Sequence, residues 1–423
     1  MDLETVAALT SPPGADLLAA ATAYDDDAHA RAAAGDAAAV DPLRAAAALR
    51  ASRPDADPAL VAAALSQVRL RRRARTRLGS LAARLFLTDD GLEQATRTVV
   101  AERRARTFAD HGARHVADLG CGLGLDALAF ARAGLRVTGV ERDPVLVALA
   151  RANAEALGVA ALLHVVEGDV TDTEVLDTAL QDADAAFADP ARRDPTLRRD
   201  GRSTRLGDPH AWSPPWSWVE ALAARVPRTL VKVAPGIDHA LTPLSGGATW
   251  TSVDGQLVEA EIAWPALARG RRRAVVLRGD DTAELTSDVD LADAAPPPIG
   301  AVGRWLLEPD DAVIRAGLVG DLAARVDGRL LDPRVAYVTT DSDVTTPFAA
   351  RFSVRHAMPY DVRHLRAHLI STGIGHVVVK KRAISADPDD VRRRLRLPAA
   401  PGTAVVLLTR IGDKPWAFVA DVA

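Results

Sequence analysis

A glycine-rich run, Asp118-Leu-Gly-Cys-Gly-Leu-Gly124, contains residue types that could bind a nucleotide-like ligand. Gly120, Gly122 and Gly124 allow the backbone to turn tightly and to approach a ligand, and a helical pattern follows directly. Glu141 comes 17 residues after the last glycine, at the end of the next predicted strand. A carboxylate at that place can accept hydrogen bonds from both hydroxyls of a ribose. Together these features predict a site for a ligand that carries a ribose.

The glycine spacing and the acid before it distinguish between two such ligands. A pyrophosphate binder needs G-x-G-x-x-G, whereas this run has G-x-G-x-G. Asp118 would repel a phosphate, but it suits a ligand with an amino group and a positive sulfonium. Asp169, at the end of the third predicted strand, could accept a hydrogen bond from the exocyclic amine of an adenine. The residues therefore favour S-adenosylmethionine over NAD as the cofactor, and Arg142 and Val170, next to Glu141 and Asp169, complete the predicted cofactor site.

A second run, Asp189-Pro-Ala-Arg-Arg-Asp194, follows the fourth predicted strand, at the sheet edge where ligands bind in open α/β folds. Asp189 and Pro190 match the (D/N/S)PP(Y/F/W) pattern of amino-group methyltransferases, in which this carboxylate or amide orients the target amine. Because a sulfonium is already a good leaving group, such catalysis is largely orientation. Ala191 and Arg192 replace the second proline and the aromatic residue of the pattern. We predict Asp189, Pro190 and Arg192 as catalytic residues.

Other residues could replace the missing aromatic ring. Arg192 or Arg193 could stack on a base or hold a phosphate. Trp212 or Trp216, about twenty residues further on, could supply a ring, or both could anchor the next helix on the sheet. Lys232, alone in an apolar strand, could pair with a carboxylate such as that of Asp189 or act at the acceptor. The predicted substrate-binding residues are Arg193, Trp212, Trp216, Lys232, Lys380 and Lys381.

The single cysteine, Cys121, excludes several classes of protein. It rules out an internal disulfide framework and a cysteine-based zinc site. Methylation at C5 of a pyrimidine needs a thiolate that attacks the base, but Cys121 lies inside the glycine loop, where a small residue is needed for packing. Asp361, His364 and His368 share a predicted helix face, yet no metal signature accompanies them. We expect a role at the surface or at a domain interface for this trio, and no metal.

The balance of charges bounds the choice of partners. The 423 residues include 52 Lys and Arg against 56 Asp and Glu, a net charge of −4, which excludes a uniformly basic nucleic-acid binder but not a local basic patch. Basic stretches occur at 69–77 and 380–396. The arginines of the first stretch surround a helix and could be solvated or could face phosphates. No apolar run approaches a membrane span and the first residues lack a signal-peptide pattern, so we expect a cytoplasmic protein.

The elements that must position these residues follow from the apolar pattern. Residues 1–105 are predicted to be helical, because Ala, Leu and Arg dominate and β-branched residues are sparse. From 106 onward short apolar runs alternate with helical segments, which predicts a doubly wound, mostly parallel sheet. Three further strands without helices between them predict an antiparallel edge. The predicted fold class is α/β, a Rossmann-like core with a helical N-terminal region and a small α+β C-terminal domain.

The predicted domains are a helical region (1–105), a catalytic domain (106–285), a proline-rich linker (286–300) and the α+β domain (301–423). Two local elements are specific enough to test. Thr171 and Glu174 have the spacing of a capping box. Asp387 and Pro388 predict the first turn of a short basic helix near the C-terminus.

Several segments together resemble one bacterial family. They are LEQATRTVVAERRARTFA, VADLGCGLGLDALAFA, VERDPVLVALARANA, FADPARRD, SPPWSWVE, LVKVAPGIDH, LEPDDAVIRAGLV and VVVKKRAISADPDDVRRRLRL. The chain resembles class I S-adenosylmethionine-dependent methyltransferases that end in a THUMP-like domain. The resemblance implies a Rossmann-like methyltransferase core. Because THUMP domains bind RNA, it also implies an RNA substrate, with Lys380 and Lys381 among the phosphate contacts. The extra domain is C-terminal here, whereas THUMP domains usually precede the catalytic domain.

These observations support three functional hypotheses. The first is methylation of a ring or exocyclic nitrogen of a purine in structured RNA, a tRNA or an rRNA. The second is methylation of a small molecule or a protein, with the outer domains shaping a pocket. The third is a non-catalytic protein that binds S-adenosylmethionine and RNA, which the altered DPAR motif motivates.

Overall fold

A computed structural model describes residues 1–191, 193–199, 202–205 and 208–423, with side chains described outside 192–207. The chain divides into two compact units, Met1–Lys232 and Val233–Ala423. The predicted domain boundaries at residues 105, 285 and 300 remain proposals.

Six helices precede the first strand, as the composition predicts. They are α1 (Leu3–Thr10), α2 (Pro12–Ala33), α3 (Pro42–Ser52), α4 (Pro58–Leu78), α5 (Asp89–Gln94) and α6 (Thr98–Asp110), with 3-10 turns at Ala37–Val40 and Gly79–Ala83. Side chains of Ser11, Asp41 and Asp57 cap α2, α3 and α4, and each of these helices has proline in its first turn. Buried Leu9, Leu17 and other aliphatic residues form the core between the helices.

The arginines of α4 hold this helical region together. Arg69 and Arg73 pair with Asp89, and Arg72 pairs with Asp25 on α2. Arg71 donates to the carbonyl of Leu85 at 2.8 Å. Because these guanidinium groups have acidic or carbonyl partners, the structure favours the solvated-surface interpretation of the basic stretch at 69–77.

The first unit contains a parallel sheet with the strand order of a doubly wound fold. Its strands are β1 (His115–Leu119), β2 (Arg136–Glu141), β3 (Leu163–Glu167), β4 (Ala185–Ala188) and β7 (Thr229–Val233), in the order β3-β2-β1-β4-β7. The helices between them are α7 (Leu125–Arg132), α8 (Pro144–Leu157), α9 (Thr173–Leu180) and α10 (Trp216–Arg225). A separate hairpin, β5 (Arg193–Arg199) and β6 (Arg202–Arg205), follows β4, and a 3-10 turn spans Pro209–Ala211.

The predicted capping box of Thr171 and Glu174 is wrong. Asp172 is the N-cap of α9, and its side chain accepts hydrogen bonds from the N–H groups of Glu174 and Val175. The Thr171 hydroxyl donates instead to Asp169 at 2.7 Å. Two candidate caps are adjacent in the sequence, and the aspartate, which is the stronger acceptor, takes the position.

The second unit begins with four strands, of which the sequence predicts the first three; the first two form an antiparallel pair as predicted, whereas the third pairs parallel with the first. The four strands are β8 (Gly247–Val253), β9 (Gln256–Ala263), β10 (Arg272–Arg278) and β11 (Asp281–Ser287), after a 3-10 turn at His239–Leu241 and before another at Leu291–Asp293. β8 pairs antiparallel with β9 and β10 with β11, whereas β8 and β10 are parallel.

A separate seven-stranded sheet completes the second unit. Its strands are β12 (Trp305–Pro309), β13 (Arg329–Leu330), β14 (Val338–Thr340), β15 (Ala349–Pro359), β16 (Ile374–Lys381), β17 (Gly402–Ile411) and β18 (Lys414–Val422), in the order β13-β14-β12-β15-β18-β17-β16. The helices are α11 (Asp311–Arg315), α12 (Val319–Arg325), α13 (Val362–Ser371) and α14 (Pro388–Leu395). Leu365, Leu369 and Leu395 pack α13 and α14 on the sheet.

The predicted fold class is confirmed, with a mixed sheet and helices, a helical N-terminal region and a C-terminal domain that has its own sheet. Asp387 caps α14 and Pro388 opens it, as the sequence predicts. Among the helices of the described residues, none is both long and apolar enough to cross a membrane.

Candidate cofactor and acceptor site

The glycine loop joins β1 to α7 and leaves open space above its backbone. Gly120, Gly122 and Gly124 have φ values of 92°, 56° and 77°, in the left-handed region that favours glycine. A Cβ atom added to Gly120 or Gly122 would meet no atom of the described chain within 4 Å. A ligand can therefore approach the backbone at these two positions.

Glu141 is fixed against this loop by two backbone groups. Its Oε2 accepts a hydrogen bond from the N–H of Gly122 at 3.0 Å, and its Oε1 accepts one from Asp143 at 2.9 Å. Each carboxylate oxygen can accept more than one hydrogen bond. Both oxygens thus keep capacity for the hydroxyls of a ribose, as the sequence predicts.

Asp169 follows β3, at the same sheet edge as Glu141. Its Oδ1 accepts hydrogen bonds from the N–H of Thr171 at 2.9 Å and from the Thr171 hydroxyl, which lower the pKa of the Asp169 carboxyl. Arg142 lies 3.8 Å from the other oxygen, Oδ2, and Val170 is half-buried beside it in the chain. The two predicted pairs, Glu141 with Arg142 and Asp169 with Val170, therefore follow neighbouring strands.

Asp118 is a buried carboxylate that lacks a partner on one side. It is 1% exposed, and its Oδ2 has no hydrogen-bond partner in the described part of the chain. Burial and the negative charges of Asp126 and Asp189 raise its pKa well above the usual range, whereas Arg104 lowers it. A buried acceptor without a donor is costly. An ammonium group would satisfy Oδ2, so the residues present fit the methionine moiety of S-adenosylmethionine.

Arg104 on α6 supplies the positive charge under this site. Its side chain is fully buried, pairs with Asp126 in the first turn of α7 and lies 4.6 Å from the ring centre of Phe187 on β4. Asp126 also accepts a hydrogen bond from Thr96 Oγ1 at 3.0 Å. Arg104 and Asp126 are not predicted from the sequence, because an arginine-rich helix gives no local signal that one guanidinium is buried.

Asp189 is held by a lysine from the neighbouring strand. The Nζ of Lys232 on β7 donates to Asp189 Oδ2 at 2.7 Å, and β7 pairs directly with β4. The Lys232 side chain is 8% exposed and that of Asp189 is 28% exposed. Of the alternatives for Lys232, pairing with Asp189 is confirmed. Pro190 is buried, and Ala191 pairs with Ser213 through two backbone hydrogen bonds.

The surroundings of the two tryptophans favour the packing interpretation, in which they anchor the next helix. Trp212 and Trp216 are 5% and 2% exposed, and their rings meet edge to face with centres 6.2 Å apart. This burial supports the interpretation that the rings anchor the start of α10, and their predicted role in substrate binding remains a proposal. Of the remaining predicted acceptor residues, Arg192 lies outside the described residues. Arg193 is described in its backbone alone, as the first residue of β5.

Lys380 and Lys381, the last residues of β16, differ in their surroundings. The ammonium of Lys380 pairs with the carboxylate of Glu308 on β12 and lies 5.5 Å from the ring centre of Phe352. Arg382 approaches the same carboxylate at 3.9 Å. Lys381 is exposed and forms no ion pair with the residues that the structure describes. Lys381 is therefore the freer cation for an anionic partner.

Cys121 and the trio Asp361, His364 and His368 are the remaining candidate groups. Burial, with the charges of Asp118 and Glu141, raises the pKa of the Cys121 thiol. His368 stacks on His356 with ring centres 4.2 Å apart, and His364 Nδ1 is 3.7 Å from Asp361 Oδ1. Over the described ranges no group of three or more His, Cys, Asp or Glu could hold a metal ion.

Two family models match separate segments of the chain. Residues 116–191 match a methyltransferase domain, and residues 349–421 match a THUMP-domain-like model. The chain is 35% identical over 382 residues to an uncharacterized S-adenosylmethionine-dependent methyltransferase of Mycobacterium tuberculosis, which covers 86% of this chain and 96% of that protein.

Two further similarities are more distant. A crystal structure from Porphyromonas gingivalis, described as a methyltransferase, superposes with a TM-score of 0.70 at 20% identity and covers 87% of this chain and 92% of that one. A 23S rRNA uracil-C5-methyltransferase of Acidithiobacillus ferrooxidans is 39% identical over 80 residues, which are 19% of this chain and 18% of that protein.

Proposed function

Because the chain belongs to the S-adenosylmethionine-dependent methyltransferases, we propose that it methylates a nitrogen of a base in structured RNA, a tRNA or an rRNA. The cofactor supplies an electrophilic methyl group on a positively charged sulfonium when it is bound. The observation that carries the proposal is the Asp189–Lys232 pair at the end of β4, the place of the amine-orienting carboxylate in amino-group methyltransferases.

The two oxygens of the Asp189 carboxylate would have different roles. Lys232 occupies Oδ2 and fixes the plane of the group, so Oδ1 is left to accept an N–H of the acceptor amine. An amine held in this way aims its lone pair along a fixed direction, which is the main requirement of methyl transfer from a sulfonium. Glu141 and Asp169 would hold the ribose and the adenine of the cofactor, and Asp118 its ammonium group.

Nitrogen is a better acceptor than carbon for this site. Methylation at C5 of uracil, the reaction named for the relative from Acidithiobacillus ferrooxidans, would require a cysteine thiolate at the base. The single cysteine of this chain lies in the cofactor loop, and its raised pKa keeps the thiol protonated. The short match to that relative therefore supports a shared methyltransferase core and not the same acceptor atom.

Support for RNA as the substrate comes from the C-terminal domain. Residues 349–421 match the THUMP-like family, and THUMP domains, which this domain resembles, bind RNA. Lys381 is exposed on β16 of this domain. We propose that the C-terminal domain contacts phosphates of the RNA while the catalytic domain acts on one nucleotide.

The test uses RNA from a strain that lacks the gene, incubated with the protein and labelled S-adenosylmethionine, followed by nucleoside mass spectrometry. We expect label in one methylated base, and loss of label with Asp189→Ala, which removes the acceptor oxygens. Asp182→Ala, at an exposed acid near the opposite end of β4, is the matched control and should keep full activity. No label in any RNA fraction would contradict the proposal, and label in protein or small molecules would favour the alternative substrates.

A further inference from the structure

We infer that residues 85–87, which belong to the helical N-terminal region, form a fixed wall of the cofactor loop, and that Asn153 is the positioning residue that joins the two. The inference concerns cofactor binding and is independent of the identity of the acceptor. Asn153 lies on α8, far in sequence from both segments that it contacts.

The Asn153 amide forms three hydrogen bonds in a fully buried site. Its Oδ1 accepts from the N–H of Phe86 at 2.6 Å, and its Nδ2 donates to the Phe86 carbonyl at 3.1 Å. The same Nδ2 donates to the carbonyl of Leu123 at 3.1 Å. One side chain therefore ties the backbone of the N-terminal region to the loop residue between Gly122 and Gly124.

Gln67 on α4 holds the next residue of the wall in the same way. Its Nε2 donates to the Leu87 carbonyl at 2.7 Å, and the Leu87 N–H donates to its Oε1 at 2.9 Å. Gln67 is also fully buried. Since Gln67 bonds the wall but not the loop, it gives a matched control for Asn153.

The wall region also touches the loop sterically. A Cβ atom added to Gly91 on α5 would lie 2.8 Å from Cγ of Leu123, closer than real Cβ contacts allow. The glycine therefore permits α5 to close on the Leu123 side chain. Leu123 is 4% exposed, so its side chain is held from this direction while its carbonyl is held by Asn153.

A loop with three glycines needs such support because its free backbone has high conformational entropy. Fixing Leu123 fixes the adjacent Gly122, whose N–H points at Glu141. A loop that is already in its bound conformation binds its ligand without an additional ordering cost. Asn153 would therefore raise cofactor affinity without touching the cofactor.

The first test compares Asn153→Leu with Gln67→Met by calorimetric titration with S-adenosylmethionine and by thermal unfolding. Both variants lose buried amide bonds to the same wall, so both should lower Tm. We expect Kd to rise at least about tenfold in Asn153→Leu and less than about twofold in Gln67→Met. Equal losses of affinity in the two variants, or none in Asn153→Leu, would overturn the inference.

A second readout reports on the loop itself. Cys121 is the single cysteine and lies in the loop, so a thiol reagent reports loop opening without ambiguity. We expect Cys121 to react faster in Asn153→Leu than in Gln67→Met at equal distance below Tm, and S-adenosylmethionine to slow the reaction. Equal rates in the two variants would mean that Asn153 supports the fold and not the loop.

Gly91→Ala keeps the inference testable if Asn153→Leu does not fold. The new methyl group would displace Leu123 and leave every hydrogen bond of Asn153 and Gln67 formally possible. We expect weaker cofactor binding and faster labelling of Cys121 in this variant. Unchanged affinity and unchanged labelling in a folded Gly91→Ala protein would refute the coupling between wall and loop.

Discussion

Binding of S-adenosylmethionine should release one proton, and Asp118 should be its source. Burial and the charges of Asp126 and Asp189 raise the pKa of Asp118, whereas Arg104 lowers it. A cofactor ammonium at the unpartnered Oδ2 would favour the ionised form and return the pKa toward its usual range. Burial raises the pKa of the neighbouring Cys121 thiol, so the thiol stays protonated in the range of the assay.

The size of the effect follows from linkage. Below the pKa of Asp118 in the cofactor-free protein, release of one proton makes Kd fall up to about tenfold for each pH unit, and above that pKa Kd levels off. The raised pKa of Asp118 also makes folding depend on pH: rising pH strengthens cofactor binding but weakens the stability of the cofactor-free protein. The folded protein holds the proton more tightly than the unfolded chain, so the free energy of unfolding of the cofactor-free protein falls as pH rises above about 4. The free energy of unfolding falls by about 1.4 kcal/mol for each unit by which the pKa of Asp118 is raised in the folded protein.

The assay is calorimetric titration between about pH 5 and about pH 6.5, more than a pH unit below the usual α-amino pKa of about 7.7, in two buffers of different ionisation enthalpy. Asp118→Asn should bind more weakly, lose the pH dependence and raise the Tm of the cofactor-free protein at pH 7.5. Asp169→Asn is the control: the pKa of Asp169 is lowered, so its variant should bind more weakly but keep the pH dependence. A pH dependence that persists in Asp118→Asn would refute the reasoning.

Three further predictions concern other parts of the molecule. Lys232→Met should abolish turnover and lower stability by about 1–3 kcal/mol, because the partly buried carboxylate of Asp189 loses its hydrogen-bond donor; adding Asp189→Ala should restore part of the lost Tm but not turnover. Lys381→Glu should weaken RNA binding about equally for all sequences and reduce its salt dependence, whereas Lys380→Gln should do less, because that ammonium is already paired. Asp332 has a pKa lowered to about 2 by hydrogen bonds, so its stabilisation is lost as pH falls from about 4 to about 2; acid unfolding followed by circular dichroism should lose this component in Asp332→Asn.

The parts of the site that the sequence predicts are those built from contiguous residues. The loop from Asp118 to Gly124 joins one strand to one helix, so its spacing carries its geometry. The Asp189–Lys232 pair follows from two strand ends, since neighbouring parallel strands bring their residues to one edge. The position of Glu141 is predicted by the same rule, because it lies at the end of a strand next to β1. In each case the placement depends on local pattern and on the order of strands in a doubly wound sheet.

The parts that the sequence does not predict depend on contacts between distant segments. Asn153 bonds Phe86, 67 residues away, and Arg104 pairs with Asp126, 22 residues away. Polar residues in Ala- and Arg-rich helices have the pattern of a solvated face, so their burial cannot be inferred from periodicity. Burial of Trp212 is likewise decided by tertiary packing. The sequence therefore leaves both alternatives open for this ring, contact with the substrate or packing of the next helix on the sheet.

The basic residues also differ between sequence and structure, because several that look free in the sequence are paired in the fold. This difference affects how an RNA would be bound. The stretch at 69–77 is the most basic run of the chain, yet acids on α2 and α5 and backbone carbonyls already engage its arginines. Of the three cations at 380–382, Lys380 and Arg382 both lie within ion-pair distance of Glu308. Counterion release depends on cations that are free to meet phosphates and not on their number in the sequence. An RNA substrate would therefore meet few free cations at these two places, and its recognition would depend more on shape and on the acceptor site.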